Sequence, residues 1–171
     1  SKMITKSHLK FFKNNKILIT GNTGFVGSNL SMVLFLLGSK IMGFSRKKIH
    51  KGYLSNHKNF KKNIKTIYSD INKINLFKKD LKKFNPEIVI HLASQPIVKD
   101  AYSHTRETYK TNVTGTVELL ETIKKIKSVK QIIIFTSDKV YQNINGKYLN
   151  ENSNIGGIDP YSASKSSQDI I

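Results

Sequence analysis

The chain has 171 residues and contains no cysteine. This absence excludes a disulfide framework and a thiolate metal site, and we predict no metal site. The sequence also lacks a run of about 18 apolar residues, the length that a membrane-spanning helix needs. The first fifteen residues include lysines but no apolar core or small-residue cleavage site, so a secretory signal is not expected. We therefore expect a cytoplasmic protein without a membrane partner.

Acidic residues are scarce as well. Eleven acidic and 29 basic residues give a formal net charge of +18, a balance that raises the question of nucleic acid binding. However, only Arg46 and Arg106 are arginine, the residue that nucleic-acid surfaces favour for bidentate contacts. The lysines also spread along the whole chain. We expect no nucleic-acid partner, and we interpret the charge as a solvated surface that attracts phosphate-bearing ligands.

Short apolar runs alternate with longer helical stretches, which is typical of a doubly wound parallel sheet. We predict strands at Lys16–Thr20, Lys40–Phe44, Lys65–Tyr68, Ile88–His91 and Gln131–Thr136. We predict helices at Gly24–Leu37, Lys73–Phe84, Lys99–Ile126 and from Asp159 onward. The basic residues between the second and third strands, Arg46–Lys48 and Lys51–Lys62, indicate a solvated, partly irregular insert. Gln142–Ile158 is predicted as a loop, either a mobile lid or a surface excursion. The expected fold is a Rossmann-like α/β domain.

A glycine-rich turn follows the first predicted strand, with Gly21, Gly24 and Gly27 in the spacing Gly-x-x-Gly-x-x-Gly. Glycine allows a tight turn, close approach of the backbone to a pyrophosphate, and close packing of helix on strand. The free N–H groups at the helix start attract the anion. The spacing differs from the ordinary G-x-G-x-x-G, but the strand before it and the helix after it supply the required context. We predict a dinucleotide site.

The residues after the second strand bear on which dinucleotide binds. An acid there would bind the 2′-hydroxyl of NAD, whereas an arginine suits the 2′-phosphate of NADP. Here Ser45 and Arg46 follow Phe44, which favours NADP or no preference. After the third strand, Asp70 and Ile71 are placed to flank the adenine. The alternative for Asp70 is an N-cap of the next helix.

A second signature, Tyr161-x-x-x-Lys165, lies on the last predicted helix. Tyrosine is a poor base at its free pKa of about 10, but a lysine one helical turn away and a nearby nicotinamide cation stabilise phenolate. Ser137, at the end of the fifth strand, can hold a substrate alcohol near both. The alternative is an ordinary surface helix, since this spacing is common by chance. The position of this signature after a glycine turn favours a site of proton transfer.

Together, these motifs resemble the extended short-chain dehydrogenase/reductases that act on nucleotide sugars. The resemblance rests on the glycine turn, on the tyrosine-lysine signature and on three further segments, His91–Pro96, Thr111–Thr116 and Asp159–Lys165. Within the family, the CDP-glucose 4,6-dehydratases carry Thr-Ser-Asp-Lys-x-Tyr, which occurs here unchanged from Thr136 to Tyr141. The resemblance implies NAD as the cofactor, with NADP not excluded. The residues predicted to bind it are Gly21, Thr23, Gly24, Phe25, Val26, Gly27, Ser45, Arg46, Asp70, Ile71, Leu92, Ala93, Tyr161 and Lys165.

The resemblance also implies a reaction, the conversion of CDP-glucose to CDP-4-keto-6-deoxyglucose. Tyr161 would take the proton of the sugar 4-hydroxyl while hydride leaves C4. Asp138 would be the acid for the departing 6-hydroxyl and Lys139 the base for C5–H, although an exposed ion pair is the alternative for these two. Asn112 would help to position the lysine of the signature through a water.

Three other functions stay open: a UDP-N-acetylglucosamine 4,6-dehydratase, a nucleotide-sugar 4-epimerase and a cofactor-binding scaffold without turnover. In the first of these the tyrosine follows closely behind the Asp-Lys pair, whereas Tyr161 comes 22 positions after Lys139 here. The chain stops inside its last predicted helix, and family members continue for about as long again. We therefore expect residues 1–171 to be a cofactor domain whose C-terminal, sugar-binding portion is missing. A homodimer through the helices with Val113–Ile123 and Tyr161–Ile171 is also expected.

Overall fold

The computed structural model describes residues 10–46, 53–142, 146 and 148–171. Five strands of the described residues form one parallel sheet in the order β3-β2-β1-β4-β5. The strands are β1 Lys16–Thr20, β2 Lys40–Ser45, β3 Lys65–Tyr68, β4 Ile88–His91 and β5 Gln131–Ile134. The strand order reverses between β1 and β4, and ligands of such sheets bind at the carboxyl ends of the strands beside that reversal. The predicted doubly wound α/β fold is confirmed.

The two central strands, β1 and β4, are buried on both faces. Ile17 pairs with Ile88 and Ile19 with Ile90, and their side chains belong to one apolar cluster. Leu18, which points to the opposite face, belongs to the other cluster. Burial on both faces explains why these strands are continuous apolar runs in the sequence.

Helices cover both faces of the sheet. The α-helices that lie wholly within the described residues are α1 Phe25–Leu36, α2 Lys58–Asn63, α3 Lys78–Phe84, α4 Val98–Ser103, α5 Thr105–Tyr109, α6 Gly115–Ile123 and α7 Pro160–Ile170. Short 3₁₀ helices span Leu54–Asn56, Ile71–Phe77 and Asp138–Val140, and a π-helical turn spans Lys110–Thr114. Within the described part of the chain, no helix is long and apolar enough to cross a membrane.

The predicted helix Lys99–Ile126 is wrong as a continuous element. It is divided at His104, whose φ of −130° and ψ of 48° are not helical, and again by the π-helical turn. Short 3₁₀, α and π segments place apolar residues at similar intervals, so periodicity does not separate them. Similarly, the first half of the predicted helix Lys73–Phe84 belongs to the 3₁₀ helix Ile71–Phe77.

The predicted insert between β2 and β3 is only partly solvated. Lys47, Lys48 and the start of the Lys51–Lys62 segment lie outside the described residues. Further along, α2 places Phe60 in the core at 1% exposure. The prediction of a solvated segment was therefore wrong for this part, because a phenylalanine among lysines supplies the buried side of a short amphipathic helix.

Candidate active site

The glycine turn joins β1 to α1 and packs against the end of β4. Gly21 has a φ of +70°, and a Cβ atom on it would lie 2.7 Å from the backbone nitrogen of Ala93. A Cβ on Gly27 would lie 2.2 Å from the carbonyl oxygen of Gly21. Any larger residue at these two positions would force β1, α1 and the β4 loop apart.

Gly24 is different, because a Cβ there would contact only the carbonyl oxygen of Gly21, at 3.3 Å. It is the N-cap residue of α1, and no side chain caps this helix. The first turn of α1 also contains no acidic residue. The positive N-terminal end of this 12-residue helix therefore has no counter-charge from its own first turn. An anion-binding site requires such an unneutralised helix end.

A cleft of about 450 Å³ opens at this turn and extends along the carboxyl ends of the strands. Every residue predicted to bind the cofactor lines it: Gly21, Thr23, Gly24, Phe25, Val26, Gly27, Ser45, Arg46, Asp70, Ile71, Leu92, Ala93, Tyr161 and Lys165. Further lining residues, which the sequence analysis did not identify, are Phe44, Tyr53, Ser69, Ser94, Pro96, Thr111, Phe135 and Thr136. Most of these follow or end a strand, and that position was the available signal.

The end of the cleft near β2 and β3 contains both a cation and a carboxylate. Arg46 is exposed, while the Oγ of Ser45 lies 2.7 Å from the Oγ1 of Thr23. The Asp70 carboxylate accepts a hydrogen bond from the Asn72 backbone nitrogen at 2.9 Å and caps the following 3₁₀ helix. Burial raises the pKa of Asp70, but the hydrogen bonds from Asn72 and the charge of Arg46 outweigh it, and the net shift is downward. Asp70 is thus a helix cap and also a charged wall of the cleft.

The segment before α2 also contacts the glycine turn. The Oγ of Ser55 donates a hydrogen bond to the carbonyl oxygen of Thr23 at 2.8 Å. The rings of Phe25 and Tyr53 have centroids 5.8 Å apart. Sequence analysis missed these contacts, because they bring together residues about 30 positions apart that share no motif.

Tyr161 and Lys165 lie one turn apart on α7 and both line the cleft. The helix begins with Pro160, and the Asp159 side chain accepts a hydrogen bond from the Ser162 backbone nitrogen at 3.0 Å. Tyr161 is 9% and Lys165 3% exposed. Burial lowers the pKa of Lys165 to about 8. The lysine is therefore a buried cation that can exchange its proton close to neutral pH.

Asn112 lies in the π-helical turn and is completely buried. Its Oδ1 accepts hydrogen bonds from Ser94 Oγ at 3.0 Å and from Gln95 N at 2.8 Å. Its Nδ2 donates to Ser164 Oγ at 2.9 Å and to Gln95 O at 3.2 Å. Through these hydrogen bonds, Asn112 connects the loop after β4 to Ser164, the residue before Lys165.

Ser137, Asp138 and Lys139 follow β5, outside the lining of the cleft. Ser137 Oγ donates to Asp138 Oδ1 at 3.1 Å and accepts from Lys139 N at 3.0 Å. Asp138 and Lys139 are exposed, and the ion pairs found between described residues do not include them. Thr136, directly before them, does line the cleft. The group therefore stands next to the cleft, beside the start of α7.

Lys139 also acts on the cap of α7. Burial raises the pKa of Asp159, but hydrogen bonds from Ser162 and Tyr161 and the charge of Lys139 more than offset this, so the pKa is lowered overall. No group of three or more histidine, aspartate and glutamate side chains suited to a metal ion occurs in the described ranges.

The GDP-mannose 4,6 dehydratase family matches residues 18–171. A CDP-glucose 4,6-dehydratase of Salmonella typhimurium is 36% identical over 162 residues, which are 94% of this chain and 45% of that protein. A dTDP-D-glucose 4,6-dehydratase of Dictyostelium discoideum is 33% identical over 168 residues, 88% of this chain and 38% of that protein.

Among solved structures, a dTDP-glucose 4,6-dehydratase of Bacillus anthracis in complex with NAD has a TM-score of 0.76 and 28% identity. The match covers 91% of this chain and 48% of that one. The chain thus spans less than half the length of these relatives. Because the family match covers most of the residues, the chain belongs to the GDP-mannose 4,6 dehydratase family, within the extended short-chain dehydrogenase/reductases of nucleotide sugars that its motifs predicted.

Proposed function

We propose that this chain contains the cofactor and proton-transfer half of an NAD-dependent nucleotide-sugar 4,6-dehydratase that acts on CDP-glucose. The observation that carries the proposal is that Tyr161 and the buried Lys165 line the same cleft as the glycine turn. Asp138 and Lys139 stand next to that cleft. CDP-glucose is favoured because a CDP-glucose 4,6-dehydratase is 36% identical to the chain.

The residues of the cleft fit a dinucleotide. The backbone from Gly21 to Gly27 and the uncapped start of α1 suit a pyrophosphate. Asp70 suits a ribose hydroxyl, and Ile71 and Leu92 supply apolar walls for a base. NAD held by these residues would supply a reversible hydride acceptor for the oxidation of the sugar. Arg46 leaves a 2′-phosphate acceptable at the exposed end of the cleft.

The oxidation needs a base for the sugar 4-hydroxyl. The Oη of Tyr161 takes that proton, and the cation of Lys165 stabilises the phenolate. The Nζ of Lys165 donates to the Phe135 carbonyl oxygen and to Gln168 Oε1. These bonds hold it one helical turn from Tyr161. The Oγ of Ser137 is assigned to the same hydroxyl as a hydrogen-bond partner.

Dehydration needs a second acid and base. A ketone at C4 makes the C5 proton acidic, and Lys139 takes it. Asp138 gives a proton to the C6 hydroxyl, which leaves as water, and a double bond forms between C5 and C6. The hydride taken from C4 would then return to C6 while Lys139 returns its proton to C5, which gives the 4-keto-6-deoxy sugar. Two adjacent groups of opposite type at one edge of a cleft suit these two proton transfers.

The test is incubation of the full-length protein with CDP-, dTDP- and UDP-glucose, followed by mass spectrometry. We expect a product from CDP-glucose that is lighter by one water and contains a 4-keto group. A product of unchanged mass would contradict the proposal and indicate a 4-epimerase. Dehydration of UDP-N-acetylglucosamine instead would assign the other dehydratase, and NAD binding without turnover would indicate a scaffold.

We also propose a homodimer through the helices that contain Val113–Ile123 and Tyr161–Ile171, which correspond to α6 and α7. The observation that supports it is that each helix exposes an apolar side chain, Val117 on α6 and Ile170 on α7. Sedimentation velocity of the full-length protein should give twice the monomer mass. A monomer at micromolar concentration would contradict the proposal.

A further inference from the structure

Gln168 is a buried partner of the signature lysine. It lies three residues after Lys165 on α7 and is 2% exposed. Its Oε1 accepts a hydrogen bond from Lys165 Nζ at 2.7 Å. Residues three apart share a helix face, and a buried ammonium group requires acceptors. Gln168 and the carbonyl oxygen of Phe135 supply two of them.

The orientation of the Gln168 amide follows from its partners. An ammonium group only donates, so the amide oxygen must face Lys165 and the amide nitrogen must face away. This nitrogen donates to Thr116 Oγ1 on α6 at 2.8 Å. The reversed amide would place two donors against each other. A single orientation therefore satisfies both ends.

The proton positions on Thr116 and His91 fix the direction of the remaining hydrogen bonds in this series. Thr116 Oγ1 donates to the carbonyl oxygen of Asn112 at 2.6 Å, so it must accept from both Gln168 and His91. The proton of His91 is therefore on Nε2, 3.0 Å from Thr116 Oγ1. Its Nδ1 then accepts from Thr20 Oγ1 at 2.6 Å. Each hydrogen bond in this series thus has one donor and one acceptor.

His91 does not readily change the direction of the hydrogen bonds at its two ring nitrogens. His91 has no exposed surface, and burial together with the charge of Lys165 lowers its pKa to about 3. It is therefore neutral over the range in which a protein of this kind functions. The series connects the end of β1, through β4 and α6, to the lysine on α7.

We propose that Gln168 is a positioning residue for Lys165, and that Thr116 and His91 hold its amide in the orientation that accepts from the lysine. The proposal rests on the proposed function, in which Lys165 acts on Tyr161. Gln168 does not line the cleft, so its effect must pass through Lys165.

The first experiment compares Gln168→Met with wild type in the full-length protein. Methionine is similar in length but makes neither hydrogen bond. We expect kcat to fall at least about tenfold and KM to change less than about threefold, because substrate binding is retained while the transition state loses a positioned cation. An unchanged kcat, or a loss seen only in KM, would overturn the proposal.

A second set of variants tests the proposal even if Gln168→Met does not fold. Thr116→Val removes the hydroxyl at nearly constant volume, and Thr116→Ser retains it. Thr122 is a buried threonine on the same helix, so Thr122→Val is the matched control. We expect Thr116→Val to lower kcat about threefold or more, with Thr116→Ser and Thr122→Val within about twofold of wild type. Equal losses in Thr116→Val and Thr122→Val would overturn the proposal.

A third measurement needs no turnover. Lys165 is methylated with formaldehyde and cyanoborohydride in the absence of substrate, and its modification is measured by peptide mass spectrometry. We expect methylation to be at least about threefold faster in Gln168→Met and Thr116→Val, because releasing Nζ from a buried hydrogen bond makes it more accessible. Equal rates in these variants and wild type would overturn the positioning role. If wild type itself formed no 4-keto sugar, only the proposed function would fail.

Discussion

The Nζ of Lys165 donates a hydrogen bond to the carbonyl oxygen of Phe135 at 3.0 Å. Phe135 follows β5 directly, and Thr136, Ser137, Asp138 and Lys139 come immediately after it. One bond therefore connects the lysine on α7 to the segment that contains the proposed acid and base of dehydration. Changes at either end should affect the other.

Replacing Tyr161 with phenylalanine removes the proposed base. Because general acid-base catalysis contributes about 10²- to 10⁴-fold, we expect Tyr161→Phe to lower kcat at least about 100-fold. The NAD dissociation constant, measured by calorimetry, should change less than about threefold, since only a hydroxyl is lost. Tyr148→Phe, at a fully exposed tyrosine, is the matched control. Full activity of Tyr161→Phe would support the scaffold alternative.

The depressed pKa of Lys165 predicts a pH-dependent stability. Its pKa is about 8 in the folded chain against an ordinary value of 10.5. Between these values the unfolded chain binds more protons, so the contribution of Lys165 to stability improves as pH rises from about 8 to 10.5. We therefore expect the melting temperature of wild type minus that of Lys165→Met to increase as pH rises from about 8 to 10.5. Lys79→Met, at an exposed lysine on α3, is the control, and a difference independent of pH would contradict the prediction.

Two glycines of the turn should respond differently to alanine. In Gly27→Ala the new Cβ would meet the Gly21 carbonyl oxygen at 2.2 Å, and we expect a loss of about 2 kcal/mol in the free energy of unfolding. Gly24→Ala meets nothing nearer than 3.3 Å and should change stability by less than about 1 kcal/mol. Gly24→Ala should instead weaken NAD binding, because the new Cβ would occupy the side of the glycine turn that binds the pyrophosphate. Urea denaturation and calorimetry separate the two effects. Equal destabilisation would be inconsistent with this packing.

Arg46 should influence the choice of cofactor. Because a guanidinium binds a 2′-phosphate, we expect Arg46→Ala to weaken NADP binding at least about tenfold while NAD binding stays within about threefold. Arg106, the other arginine of the chain, is exposed on α5 and away from the cleft, so Arg106→Ala is the matched control. Calorimetric titration with both cofactors gives the ratio. A parallel loss of NAD and NADP affinity would refute selective recognition by Arg46.

Asp138→Asn should separate oxidation from dehydration. The amide cannot supply a proton to the departing hydroxyl, so we expect the 4-keto-6-deoxy product to form at least about 100-fold more slowly. A 4-keto sugar that retains its 6-hydroxyl should become detectable by mass spectrometry after acid quenching. Asp100→Asn, at an exposed aspartate on α4, is the control. Normal dehydration by Asp138→Asn would remove Asp138 from the mechanism.

The amino-acid sequence alone was sufficient for the sheet and for most of the lining of the cleft. All five strands lie within two residues of their predicted ends. For β1 and β4 the reason is burial on both faces, which makes these strands continuous apolar runs. The predicted cofactor residues line one cleft, since they follow neighbouring parallel strands whose carboxyl ends share an edge. The family was also predicted correctly.

Tertiary packing decided the rest. The break at His104 and the π-helical turn escape prediction, because local periodicity does not distinguish neighbouring helix types. The bond from Gln168 to Thr116 joins residues 52 positions apart. It exists only because α6 and α7 pack side by side, and the direction of each hydrogen bond depends on which groups are buried together. The sequence indicated most of the residues that reach the cleft, whereas the packing of two helices determined what holds the lysine there.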